Sequence, residues 1–97
     1  MEFTFKTKIW LYPGDAAWHF VTLPKDASAD IRHITTHSVR RGFRSVKVRV
    51  TSDGATWLTS IFPDSQSGYY LLPIKKPVRK SMGWTVGDTI SLTVSLQ

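Results

Sequence analysis

Asp30, His33 and His37 are spaced three and four residues apart, which puts all three side chains near one face of a helix. Two imidazoles and a carboxylate can hold a transition metal. No Glu follows His33 in the manner of zinc proteases, and the chain has no Cys. We read the three as a polar helix face and expect neither metal nor cofactor. Ser, His and Asp are all present, yet no Gly-x-Ser-x-Gly elbow presents a serine on a tight turn. No paired carboxylates mark an acid–base site. Asp53 and Asp88 sit beside Gly54 and Gly87, where they shape turns. The six glycines are scattered singly, so no Gly-rich loop cradles a phosphate. The expectation is a domain without a catalytic site.

Positive charge is the stronger chemical signal. Between Ile31 and Ser52 stand Arg32, Arg40, Arg41, Arg44, Lys47 and Arg49, with no acid. Between Ser65 and Gly87 stand Lys75, Lys76, Arg79 and Lys80, again with no acid. These windows carry +10 of a net +6, so the rest of the chain is at −4. Such a field attracts anions. Arg forks onto phosphate and Lys adds a mobile point charge. Arg40, Arg41, Arg44, Lys75, Lys76, Arg79 and Lys80 are therefore the candidate polyanion-binding residues.

The aromatic residues, among them four Trp and three Tyr, are the second signal. Rings interleaved with Lys and Arg can stack the bases of a single strand. Trp18, Trp57 and Trp84 are assigned to the core, because small β domains fill their cores with large rings. Tyr69 and Tyr70 must face opposite sides of a strand, so one of them is expected at the surface. Trp10 and Tyr12 lie opposite Phe3, Phe5, Ile9 and Leu11. Trp10, Tyr12, Tyr69 and Tyr70 are the candidate exposed aromatics.

The elements that must position these residues are mostly strands. Phe3, Phe5, Thr7, Ile9 and Leu11 alternate along a first strand that ends at Tyr12-Pro13-Gly14-Asp15. Trp18 to Leu23 reads as a second strand. In Ser45–Thr51, Val46, Val48 and Val50 point inward and Lys47 and Arg49 outward. Asp53-Gly54 then signals a hairpin whose return strand is Thr56–Phe62. Tyr69–Ile74 and Asp88–Leu96 complete six strands. A helix capped by Asp26 or Ser28 runs to about Ser38, with Ala27, Ile31 and Ile34 on one face, and ends at Arg40-Arg41-Gly42. A short helix starts around Pro77 and stops at Gly83, with Val78 and Met82 on one face.

The two halves echo one another. Each has a strand ending in Leu-Pro (Leu23-Pro24 and Leu72-Pro73), then a helix, then another strand. Proline removes a ladder donor and leads the chain out of the sheet. Two such units related by a pseudo-twofold axis would pack into one closed β core without exposed edges. The 97 residues make one domain, residues 1–97, with 41% apolar residues, enough for one modest core. The N-terminus lacks the apolar block of a signal peptide, and no apolar run approaches the ~20 residues of a membrane helix. With no disulfide possible, the expected location is cytoplasmic.

These residues resemble a known family. Trp18 with Leu23-Pro24, Trp57 through Pro63, Gly68 through Lys80, and Gly87-Asp88 look like the DUF1905 family, in the same order and over nearly the whole chain. The resemblance implies a mainly β double-split β-barrel of about six strands, with one medium and one short α-helix, in a bacterial or archaeal protein. It implies no activity. In some relatives the domain is fused to a segment named for bacteriocin protection. A further likeness covers residues 72–94: Pro73, Arg79, Met82-Gly83-Trp84 and Gly87-Asp88-Thr89-Ile90 are similar to the swapped-hairpin motif of AbrB-type regulators and MazE-type antitoxins, which bind DNA as dimers. The long basic first half departs from that pattern, and these residues transfer architecture better than function.

Two expectations follow. One is a non-enzymatic module that binds nucleic acid or another polyanion through the basic clusters. The other is a protein-interaction or small-ligand domain that uses the exposed aromatics and takes no nucleic acid. Both expect no membrane, and a monomer or weak dimer.

Overall fold

A computed structural model describes residues 1–14, 16–36 and 45–97. Strands dominate: β1 (Glu2–Lys8), β2 (Trp10–Leu11), β3 (His19–Thr22), β4 (Val46–Ser52), β5 (Ala55–Pro63), β6 (Tyr70–Pro73) and β7 (Thr89–Leu96). Two helices interrupt them, α1 (Lys25–Thr36) and α2 (Lys76–Met82). The expected first strand is divided at Ile9. The Ile9 N–H donates to Asp88 O (3.0 Å), and its carbonyl accepts from Gly87 N (2.9 Å). The remote turn at 87–88 thus takes both backbone groups of Ile9, and the chain changes partner there. Leu11, expected inward with Ile9, is 49% exposed, because β2 is two residues long and ends at the margin of the sheet.

All pairings are antiparallel, in the order β1-β7-β4-β5-β6-β3-β2. The two ends of that row, β1 and β2, are one chain segment broken only at Ile9, so the curled sheet returns on itself as a barrel-like ring. Counted as one bent strand, they restore the six strands read from sequence. β5 changes partner in the same way, pairing β4 through Ile61 and β6 from Phe62 onward. The ring has a pseudo-twofold repeat. β1/β2–β3–α1–β4 corresponds to β5–β6–α2–β7, and across the axis β3 pairs β6 and β4 pairs β7. The two Leu-Pro pairs thus occupy related positions, each where a strand gives way to a helix.

The inward faces make the core. Val46, Val48 and Val50 of β4 meet Ile90, Leu92 and Val94 of β7, with Ile9, Val21, Ile61 and Leu72 around them. The Asp53-Gly54 turn joins β4 to β5 with positive φ at both residues, 48° and 80°, as the type I′ hairpin requires. Trp57 and Trp84 pack against the core, their rings 6.1 Å apart and edge-on. Trp18 does not join them. It precedes β3 and is 49% exposed on the outer wall.

Ala27 and Ile31 of α1 are buried and Ile34 is half-buried, as the spacing predicts. The expected caps are corrected. The helix begins at Lys25, directly after Pro24, and Ser28 N–H already makes a helical bond to Pro24 O (2.9 Å). The Ser28 hydroxyl is buried, donates to Leu23 O (3.3 Å) and accepts from Tyr70 N (3.0 Å). Arg40-Arg41-Gly42, expected to end the helix, lie outside the described residues. In α2, Pro77 occupies the first turn, and Gly83 closes the helix in the left-handed region at φ 71°.

Candidate functional site

The outer wall of β2, β3, β6 and β5 is apolar. Register places Trp10, Phe20 and Pro73 side by side across three strands, and Thr22, Leu71 and Phe62 in the next row on the same face. Between those rows Val21 and Leu72 point inward. β6 is therefore buried on both faces along its whole length. That corrects the expectation for Tyr70. It is 3% exposed and belongs to the core, with its hydroxyl 3.4 Å from Thr35 Oγ1. Tyr69, directly before the strand, is half-buried.

Three rings gather on this wall around Phe20. Trp18 stacks on it with centroids 6.0 Å apart and planes 9° apart. Tyr12 meets it edge-on at 5.8 Å, and Trp10 lies 5.6 Å away. Trp10 is half-buried, and its indole N–H donates to Thr22 Oγ1 (3.0 Å). Tyr12 is 50% exposed. Among the described residues, two bonds hold the loop that carries Tyr12 and Trp18. Tyr12 N–H donates to Trp18 O (2.8 Å), and His19 Nδ1–H donates to Ala17 O (2.8 Å). Ala17 sits at φ 52°, a left-handed conformation that costs a non-glycine residue on the order of 1–3 kcal/mol.

Two open cavities flank Trp18. One, of about 550 Å³, is walled by Tyr12, Trp18, Phe20, Phe62, Leu71 and Pro73, with Thr59, Ser60, Asp64 and Lys75 supplying its polar groups. The other, of about 480 Å³, is lined by Trp18, His19, Pro73, Lys75, Lys76 and Arg79, among others. Trp18, Pro73 and Lys75 border both. The cavities therefore form one groove, aromatic at one end and basic at the other.

Of the second basic cluster, Lys75, Lys76 and Arg79 come together in this groove. Lys80 is exposed and lines neither cavity. Lys75 and Lys76 are exposed, while Arg79 is half-buried with Nη1 donating to Ile74 O (3.4 Å). Arg40, Arg41 and Arg44 lie outside the described residues, as does His37. Among the described residues, no three His, Asp or Glu side chains come together as a metal-ligand set.

Among the described residues, Asp64 is the one acid that lines the groove. The Ser67 hydroxyl donates to its Oδ2 (2.7 Å), as does Ser67 N (3.2 Å), and Gln66 N donates to Oδ1 (3.4 Å). The Ser67 hydroxyl bond, helped by the two backbone N–H groups, holds the carboxyl below its ordinary range against a smaller opposing effect of burial. It is ionised at neutral pH. Sequence reasoning missed Trp18, Phe20, Phe62 and Asp64 as groove residues. The signal for a covered outer wall was the unbroken apolar run Leu71-Leu72-Pro73-Ile74, which leaves β6 no solvent-facing side.

Residues 5–94 match a family model described as Domain of unknown function (DUF1905). A search of curated proteins finds no match to the chain. No helix among the described residues is long and apolar enough to cross a membrane.

Proposed function

The chain belongs to the DUF1905 family, whose description assigns no activity, and from the groove in this member we propose that it is a binding module for single-stranded nucleic acid. The carrying observation is Trp18. Its half-exposed ring stands between an aromatic cavity and a basic one, and it borders both together with Lys75. A nucleotide unit needs that pairing: a flat apolar face for the base and cations for the phosphate. Stacking a base on an aromatic side chain is worth about 1–3 kcal/mol. Lys75, Lys76 and Arg79 supply charge beside it, and Lys80 extends that charge along α2. A duplex hides its base faces and would leave Trp18 and Tyr12 without a partner.

The test is fluorescence anisotropy of labelled single- and double-stranded oligonucleotides at low and moderate salt. Single strands should bind more tightly. Affinity should fall with salt at a logarithmic slope of about −0.7 per phosphate contacted. Lys75→Ser, Lys76→Ser and Lys80→Ser together should remove most of the binding while sparing Arg79 and its bond to Ile74 O. No binding of any oligonucleotide at low salt would refute the reading. A second reading, a discrete small organic ligand, is favoured by the cavity of about 550 Å³, within the usual range for such sites. It would be supported if such ligands quenched Trp fluorescence and oligonucleotides did not.

A further inference from the structure

The groove has a sign at each end. Lys75, Lys76 and Arg79 line one cavity, whereas Asp64 lines the other, which Lys75 alone of those three cations also borders. Phosphate is drawn to the cations and repelled by the carboxylate. A nucleotide lying along the groove is thereby oriented, with phosphate toward α2 and base edge toward Asp64.

Resting on the single-strand reading above, we infer that Asp64 selects bases bearing an exocyclic amino group. The carboxylate is fixed in place. Ser67 donates twice to Oδ2 and Gln66 N donates once to Oδ1. An ionised carboxylate accepts about four hydrogen bonds and donates none, so Oδ1 keeps an open acceptor site. The group best matched to it is the N–H₂ of cytosine, adenine or guanine. Thymine and uracil offer only N3–H on that edge. Carbonyl oxygens flank it on both sides and would face the carboxylate. Thr59 and Ser60 also line this cavity, and a hydroxyl there can serve either kind of base, so it does not offset the preference.

Oligo-dC and oligo-dT of equal length isolate the effect, since both are pyrimidines with similar stacking and equal phosphate charge. At pH 8, oligo-dC should bind on the order of tenfold more tightly, the scale of one hydrogen bond to a charged group. The two salt slopes should be equal, because the phosphate contacts are unchanged. An oligo-dC with both N4 hydrogens replaced by methyl should bind like oligo-dT. This arm uses the unaltered protein, so it does not depend on a variant folding. Asp64→Asn should bring oligo-dC and oligo-dT to equal affinity. Equal binding of oligo-dC and oligo-dT by the unaltered protein would overturn the selection and leave the single-strand reading standing. Failure of every oligonucleotide to bind would overturn both.

Discussion

Gly83 shows how one residue aims the basic end of the groove. It ends α2 at φ 71°, and the next N–H, from Trp84, bonds back to Arg79 O (3.0 Å). That bond pins the last turn, and so the direction in which α2 presents its lysines. A Cβ at Gly83 would meet no atom within 4 Å, so the cost of Gly83→Ala is a backbone cost alone. Left-handed backbone in an L-residue costs roughly 1–2 kcal/mol. Urea denaturation should show a loss of about 1 kcal/mol with an unchanged m-value. A neutral result would mean that the helix ends without needing this conformation.

At the scale of elements, Ser28 is the joint between α1 and the sheet. Its hydroxyl satisfies the buried Tyr70 N–H while donating to Leu23 O. One side chain therefore ties a helix to two strands. Ser28→Ala leaves that N–H without a partner, a cost of about 1–3 kcal/mol. The exposed Asp26, two residues earlier, makes a control: Asp26→Ala should cost well under 1 kcal/mol, the usual range at surface positions. If both variants unfold at the same urea concentration, Ser28 is not the joint. Sequence pointed to Ser28 but gave it the wrong task, because a cap is judged from local spacing and Tyr70 is 42 residues away. Local signals succeeded elsewhere. β4 was legible from its valine alternation, the hairpin from Asp53-Gly54, and α2 from Pro77 and Gly83. What stayed hidden depended on remote partners. Ile9 divides the first strand because of a turn near the other end of the chain. Trp18 and Tyr70 were misplaced because alternation tells which residues share a face without telling which face is covered. The groove was half-legible for the same reason. The charge run at Lys75–Arg79 could be read directly, but only the register of four strands brings Phe20, Phe62 and Asp64 to it.

On the scale of the whole molecule, the two halves cannot stand apart. β3 lies between β2 and β6, and β7 lies between β1 and β4, so each half is hydrogen-bonded to strands of the other. The inward faces of β4 and β7 share one core. Unfolding should therefore be a single cooperative event. Urea transitions followed by Trp fluorescence, which reports all four Trp, in the groove as well as in the core, and by far-UV circular dichroism should superimpose. Two separated transitions would mean that the halves melt as independent units.

The aromatic groove straddles the pseudo-twofold axis, since β3 and β6 pair across that axis and β2 and β5 flank them. Were the two halves identical, a ligand crossing there would meet the same groups whichever way round it lay. They are not identical: the first half brings Tyr12, Trp18 and Phe20, and the second brings Phe62, Asp64 and Lys75. Having both copies in one chain frees each side to diverge, and divergence across an axis gives the groove a head and a tail. A bound chain would then have a reading direction, and reversing it would set every group against the wrong wall.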